Sequence, residues 1–357
     1  FGVDVDQPHL HRGEGIRQLS IAGRYPGFLA RPDRWVSWWL GGVISGLKMI
    51  SSFRPDVLWS TYPIATAHLI GHTLAQRSGL PWVADFRDPM AHDGYPEDAV
   101  TWQSFLRVEE KVFSVAAATT FTTGGALDFY RQRYQATHAK FHQIENGYDE
   151  DAFLVAENRA ATEGSADAGR IVLLHSGVVY PQWRNPRMLF RAIRQLANEG
   201  HPAMPRLSVR FRAAAHDEFI IQVAREEDVL EFIDLRPDVD YIEALSEMMM
   251  VDGLLLLQNA ECNNQVPAKF YEYLRAGRPI IALTDLQGDT ARLLHRHLGH
   301  QLADLTSADG AKRALTAWLD ALPGQFERCE LTPSVAACSR RALTGQLAGV
   351  LNSVLRK

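Results

Sequence analysis

Cysteine is scarce, with only Cys262, Cys329 and Cys338 in 357 residues. Three thiols cannot all pair with one another, and they match no metal-ligand spacing. A disulfide scaffold and a structural zinc site are therefore not expected, and a reducing cytoplasm is the simplest setting. No apolar run reaches the roughly 18 residues that would read as a membrane-spanning helix. An excess of either charge is also missing. Lys and Arg total 37 against 42 Asp and Glu, for a net charge of −5 and a pI near 6.2. That balance argues against a protein that binds nucleic acid with its whole surface. What remains is ordinary for a soluble globular chain, 46% hydrophobic and 22% charged, and long enough for two domains with two cores.

The most informative stretch is 251–284, VDGLLLLQNAECNNQVPAKFYEYLRAGRPIIALT. Val251–Leu257 and Ile280–Leu283 are apolar runs of strand length. Between them Asn263 and Asn264 suit a helix N-cap, Pro267 suits the first helical position, and Gly277 with Pro279 ends the helix. Such a strand–loop–helix unit aims backbone N–H groups at the carboxyl edge of a sheet, where a phosphate binds. Lys269 and Glu272 share one helix face near that end. Lys269 suits a diphosphate, and Glu272 can accept two hydrogen bonds from a ribose diol. Spacing alone also describes an ordinary surface Lys–Glu pair.

VPAKFYEYLRAGRPIIAL resembles the signature of retaining glycosyltransferases of the GT-B fold, the large family four that includes bacterial cell-surface polysaccharide enzymes. The resemblance implies that Glu272 holds the donor ribose. Many members carry a further Glu eight residues earlier, where this chain has Asn264. The likeness extends over roughly residues 15–355. It implies two doubly wound, Rossmann-like α/β domains facing a cleft, which the β/α alternation on both sides of a polar segment also supports.

Along the chain, residues 1–34 resist a regular reading. Arg12, Arg17, Arg24, Arg31 and Arg34 stand there against Glu14 and Asp33 between positions 12 and 34, and Trp35, Trp38 and Trp39 follow. Arginine beside tryptophan is the composition of a contact with an anionic membrane surface, or of a solvated loop before an amphipathic core helix. Family members open on a strand and a Gly-rich turn, and nothing before Pro55 matches that pair. The expectation is that the chain starts inside the first domain. His68 and His72 have the i, i+4 spacing of a metal pair but lack a third ligand, and read as helix-surface histidines. The strand 82–84 leads into Asp85, Phe86, Arg87, Asp88 and Pro89, whose three charges need one another or a ligand. PWVADFRDPM resembles the family segment where that strand meets the cleft, which implies that Arg87 and Asp88, with Asp85 beside them, face the sugar or acceptor. In the predicted helix 102–116, Glu109 falls on the polar side.

HQIENGYDEDAF resembles the family's approach to its domain linker, and AENRAATEGSADAG has a linker's composition. Domains are expected at 1–160 (acceptor side), 165–333 (nucleotide-sugar side) and 334–357, a helix that returns to the first domain in relatives. In the second half, 171–175, 207–212 and 229–233 read as strands, and the family places a Gly and basic residues after the first of them. Gly177 matches that Gly and Arg184 stands in for the basic residue. Met248, Met249 and Met250 read as core filler.

The resemblance implies transfer of a sugar from a nucleotide-diphosphate donor to a glycan or lipid-linked acceptor in cell-surface polysaccharide synthesis. Asp85 and Asp88 are separated by Phe86 and Arg87 and so make no Asp-Xaa-Asp metal motif at that strand end, and the leaving diphosphate is assigned to Lys269, Arg184 and the helix end at 266–268 rather than to a metal. No cofactor is expected beside the donor substrate. The location read is cytoplasmic, peripheral on the inner face of the plasma membrane. Two alternatives stay open: a sugar-nucleotide epimerase of the same fold, and a non-catalytic GT-B subunit that binds a partner.

Overall fold

The computed structural model describes residues 30–322 and 331–355, apart from 94, 136, 138–140, 164–166 and 168, and two short strands nearer the start. Arg12, Arg17, Glu14 and Cys329 lie outside the described residues, as does the side chain of Arg24. The chain divides into two compact units, residues 1–145 with 345–357 and residues 146–344.

In the first unit, β1 (Gly2–Asp4) and β2 (Arg24–Pro26) pair antiparallel. A separate parallel sheet runs in sequence order through β3 (Leu58–Tyr62), β4 (Trp82–Phe86), β5 (Ala118–Phe121) and β6 (Phe141–Gln143). Helices Ala65–Ser78, Ala99–Val115 and Gly124–Arg133 alternate with these strands. The core is strongly aromatic, with Trp82, Phe86, Phe105, Phe113, Phe121 and Tyr130 all buried.

Two expectations fail in this core. His68 is fully buried, not on the surface: its ring lies 4.9 Å from that of Phe86, and its Nδ1 is 2.8 Å from the Ser60 hydroxyl. Burial drives its pKa down from 6.5 to about 3. Glu109 is likewise fully buried. Its carboxylate accepts bonds from the Ala91 N–H, the Tyr130 and Tyr134 hydroxyls and the Arg133 guanidinium, all within 2.9 Å. A carboxylate with four donors can be buried where a bare one cannot.

The second unit is built on six parallel strands in the order β12 (Gln301–Ala303), β11 (Ile280–Leu283), β10 (Gly253–Leu257), β7 (Ile171–Ser176), β8 (Leu207–Arg212), β9 (Ile233–Arg236). The chain builds outward from β7 to β9, then returns to the other side of β7 with β10. The order therefore reverses between β7 and β10, the switch point at which ligands bind in doubly wound sheets. Successive side chains of these strands enter opposite cores. Leu255 and Leu257 pack on one face, Leu254 and Leu256 on the other, which is why β10 reads as an unbroken apolar run. On β8 the alternate positions are Arg210 and Arg212, and Glu247 binds both. Arg210 also holds Asp167 and Asp234.

Several local readings are corrected here. Helix Glu150–Glu163 occupies much of the segment read as a linker, because Phe153 and Ala156 pack into the core beside Leu245 and Met248. The strand placed at 229–233 starts at Ile233, after a tight turn in which the Phe232 N–H bonds the Val229 carbonyl. The last helix is two, Pro333–Ala336 and Arg340–Leu355, broken where Arg340 bonds the Tyr148 carbonyl. Helix Asp217–Glu226 and strand β12 were not foreseen. Met248 and Met249 are core residues.

Candidate functional site

At the carboxyl end of β7, His175 is fully buried and the Ser176 N–H donates to the Tyr273 hydroxyl at 2.9 Å. Gly177 follows with φ +100°, and its N–H bonds the Arg212 carbonyl at 2.8 Å. That φ disfavours any side chain, and a Cβ there would stand 3.2 Å from the Lys269 ammonium. Glycine thus serves both the turn and the close approach of Lys269.

Lys269 lies in the first turn of the helix Ala268–Ala276, which follows β10 and ends at Gly277 with φ +71°. Its Nζ is 3.2 Å from Nε2 of His175, whose Nδ1 is 2.9 Å from the Leu255 carbonyl. A carbonyl only accepts, so Nδ1 carries the ring proton and Nε2 is left to accept from Lys269. Burial, then the nearby Lys269 and Arg184 charges, hold His175 well below its ordinary pKa, which keeps it neutral. Burial and Arg184 also lower Lys269 well below its usual value, partly offset by Glu272. Arg184 comes from the loop after β7. It donates to the Val178 carbonyl at 2.6 Å and lies 5.3 Å from the Tyr180 ring centre. Among the described residues, neither Lys269 nor Arg184 forms a salt bridge with a carboxylate. Two partly buried basic groups, Arg184 lowering Lys269 and burial lowering Arg184, with no salt-bridged carboxylate among the described residues, make a preformed anion site.

The loops after β7 and β10 are tied together. The Asn259 N–H bonds the Trp183 carbonyl at 2.8 Å, and the Trp183 indole donates to Glu261 at 2.9 Å. Buried Gln258 donates to the carbonyls of Cys262 and Gln265 and accepts from Thr290, fixing the 258–265 loop from inside. Asn264 is partly buried in that loop. Asn263 holds Asp285 at 2.8 Å, and Gly288 lies close against its amide.

One turn beyond Lys269, Glu272 accepts from the Tyr241 hydroxyl at 2.9 Å. Tyr241 begins the helix Tyr241–Met250, after the segment 236–240. A cavity of about 760 Å³ opens between residues 213–219 and 236–238, beyond β8 and β9 on the same edge. The structure thus gathers Gly177, Arg184, Lys269, Glu272 and Asn264 onto two loops and one helix. Sequence reading missed His175, Tyr241, Tyr273 and Gln258. The only available signal was position, since His175 precedes the strand-end glycine by two residues.

The first-unit group behaves differently. Asp85 lies within β4, not beyond it, directly between Thr61 of β3 and Thr120 of β5. Both hydroxyls bond its carboxylate, at 2.9 and 2.6 Å, and Arg87 is 3.8 Å away. Asp88 is partly buried beyond the strand, and no described residue donates a hydrogen bond to it. Burial raises its pKa, opposed by Arg87.

Residues 3–147 match the family described as Glycosyl transferase 4-like domain. No curated protein matches the chain in sequence. HepE of Anabaena, solved in complex with UDP, superposes with a TM-score of 0.66 at 14% identity, covering 87% of this chain and 82% of that one. Sucrose-phosphate synthase of Thermosynechococcus elongatus gives 0.65 at 14% identity, covering 99% and 87%. The trehalose 6-phosphate synthase of Burkholderia multivorans gives 0.66 at 14%, covering 92% and 79%.

Proposed function

We propose that this chain, which has the GT-B glycosyltransferase fold and carries a glycosyl transferase 4-like domain at residues 3–147, transfers a sugar from a nucleotide-diphosphate donor. The observation that carries the reading is Lys269 and Arg184 at the switch point, two partly buried cations that form no salt bridge with a carboxylate among the described residues. A diphosphate supplies the missing charge. In transfer its charge grows as the sugar leaves, and fixed positive groups stabilise that charge without reorganising. His175 holds the Lys269 ammonium from behind as a neutral acceptor. The first turn of the helix Ala268–Ala276 offers backbone N–H groups to the same oxygens, and Gly177, having no side chain, leaves room for their approach to Lys269.

From that anchor Glu272 lies one turn along the helix, where it receives the ribose hydroxyls with Tyr241 steadying its carboxylate. The base then points toward 236–240 and the cavity beside it. Asn264 occupies the loop that approaches the transferred sugar. Asp88 and Arg87 serve the sugar or acceptor, while Asp85 holds the strand end that carries them. The acceptor is a glycan or lipid-linked hydroxyl in cell-surface polysaccharide synthesis. The reaction retains anomeric configuration and draws its charge stabilisation from these side chains rather than a metal. The enzyme works peripherally on the inner face of the plasma membrane.

Calorimetric titration with UDP, GDP, dTDP and the corresponding nucleosides tests the donor site. Lys269→Ala should weaken the preferred diphosphate by about one to two orders of magnitude, as expected for loss of one charge-assisted contact. The nucleoside should bind almost as before. Equal losses for nucleoside and diphosphate, or none for either, would remove the diphosphate from Lys269.

A further inference from the structure

The stretch Arg87–Ala91 leaves the carboxyl end of β4 and turns into the interior, where Met90 and Ala91 are fully buried. Buried backbone groups must find partners inside the protein. Here the partners are side chains from neighbouring elements. The Thr122 hydroxyl, just past β5, donates to the Arg87 carbonyl at 2.8 Å. The Met90 N–H donates to the Tyr130 hydroxyl at 2.7 Å, and the Ala91 N–H to Glu109 at 2.9 Å. Arg133 donates to the Ala91 carbonyl at 2.6 Å. A tight turn follows, in which His92 and Tyr95 exchange backbone hydrogen bonds at 3.0 and 3.1 Å. The backbone is thus held on both sides of Asp88, at the carbonyl before it and at two N–H groups after it.

Glu109 is the centre of that bracket. One of its oxygens takes both the Ala91 N–H and the Tyr130 hydroxyl that holds Met90. The other takes Arg133 and the Tyr134 hydroxyl, each at 2.9 Å. Stability alone does not call for such a network, because apolar side chains of similar volume often serve a buried site as well. What they cannot do is hold backbone N–H groups and a carbonyl at fixed points. Three bonds of this network end on the backbone of Met90 and Ala91. Asp88, two residues from the first of them, accepts no hydrogen bond from a described residue. It is placed by its backbone rather than by hydrogen bonds of its own. Burial raises its pKa against the nearby Arg87 charge, and the Tyr62 and Tyr95 phenols stand close enough to feel it. A reacting group has to be held near its working place by its supports, and small misplacements cost heavily in rate.

We propose that Glu109, with Tyr130 and Arg133, is a positioning group that sets the place of Asp88 through the backbone of Met90 and Ala91. Its bearing on transfer rests on the role given to Asp88 above, whereas the positioning does not. The test compares Tyr130→Phe with Tyr134→Phe in the full chain. Each removes one donor to Glu109, but only Tyr130→Phe also removes the acceptor of the Met90 N–H. The Asp88 carboxyl is titrated by carbon-13 NMR, its signal identified by its loss in Asp88→Asn. In the parent it should titrate above the ordinary aspartate value of about 3.9. Tyr130→Phe should let water reach Asp88 and bring its midpoint down toward that value, while Tyr134→Phe leaves it in place. An unchanged midpoint in Tyr130→Phe, or an equal shift in both variants, overturns the positioning. Turnover is read in parallel as nucleoside diphosphate released from UDP-, GDP-, dTDP- and ADP-glucose, with water as the acceptor. Tyr130→Phe should lower it about ten- to hundredfold with donor affinity unchanged. In an Asp88→Asn background the same substitution should add nothing. A loss of equal size in that background overturns the route through Asp88. If Asp88→Asn turns over as the parent does, or the parent not at all, the transfer role of Asp88 falls and the titration decides the positioning. Should Tyr130→Phe misfold, Thr122→Val frees the Arg87 carbonyl on the other side of Asp88, and an unchanged midpoint there overturns the proposal.

Discussion

The carboxyl end of β4 in the first unit and that of β7 in the second both carry charge, but they dispose of it in opposite ways. Asp85 sits between two threonine hydroxyls from neighbouring strands, and Glu109 nearby has four donors. Those carboxylates are consumed by their surroundings and hold the segment after β4 in place. At β7, among the described residues, the Lys269 ammonium is hydrogen-bonded to a neutral histidine and Arg184 to a carbonyl, beside a ring face, and neither forms a salt bridge. Charge at a strand end therefore distinguishes nothing by itself. Satisfaction does, because a partly buried ion without its counter-charge is costly unless a ligand supplies one. Asp88, which accepts no hydrogen bond from a described residue and whose burial outweighs the opposing Arg87 charge, stands nearer to Lys269 by that criterion than to its neighbour Asp85.

The largest expected effect comes from the exception in the first unit. His68 is buried with no partner for Nε2 among the described residues, and its folded pKa is depressed to about 3. Below pH 6.5 the unfolded chain takes up a proton that the folded chain refuses. Stability should thus fall with decreasing pH between 6.5 and about 3, by up to about 1.4 kcal/mol per pH unit from this group. Urea denaturation at stepped pH, comparing the parent with His68→Phe, reads the slope. A variant with the parent's slope would mean that other groups set the acid limit, His300 being one whose pKa is also lowered, to about 4.

Next in size is the contrast within β4 itself. Asp85→Asn weakens two charge-assisted bonds inside the sheet and should destabilise by about 1–3 kcal/mol. Asp88→Asn removes a charge whose burial is already unfavourable, so its melting temperature should match the parent's while transfer activity falls. Thermal denaturation beside an activity assay separates them. If Asp88→Asn melts as early as Asp85→Asn, both carboxylates are structural and the distinction collapses.

The parts legible in the sequence were those whose signal is local. β10 and β11 are continuous apolar runs because both of their faces are buried, and Pro267 and Gly277 bracket the helix between them. Lys269 and Glu272 follow from that frame. Glu109 was misplaced because its partners Ala91, Tyr130, Arg133 and Tyr134 lie 18 to 25 residues away. His68 was misplaced because Trp82 and Phe86, which flank its ring, arrive on another element. His175 and Tyr241 carry no pattern at all. Their roles exist only once β7, β10 and the helix Tyr241–Met250 are brought to one edge.

Tyr241 gives the smallest and most selective effect. Its hydroxyl donates to Glu272, and burial together with the Glu272 charge raises its pKa, so the phenol remains a donor across the ordinary pH range. Tyr241 is itself 44% exposed, and losing its hydroxyl should leave the melting temperature unchanged. Tyr241→Phe keeps the ring and deletes one hydrogen bond, worth about 0.5–1.5 kcal/mol. Donor affinity should then drop by roughly two- to tenfold. Because Glu272 is assigned to the ribose, nucleoside and nucleoside diphosphate should weaken by the same factor, unlike the split expected at Lys269. In steady state KM for the donor should rise while kcat holds, since the contact orients bound substrate and does not touch the leaving group. Titrating both ligands against Tyr241→Phe and Lys269→Ala in one series makes the comparison direct. A loss confined to the diphosphate in Tyr241→Phe would place the phosphate, not the ribose, beside Glu272 and reverse the orientation of the donor along the helix.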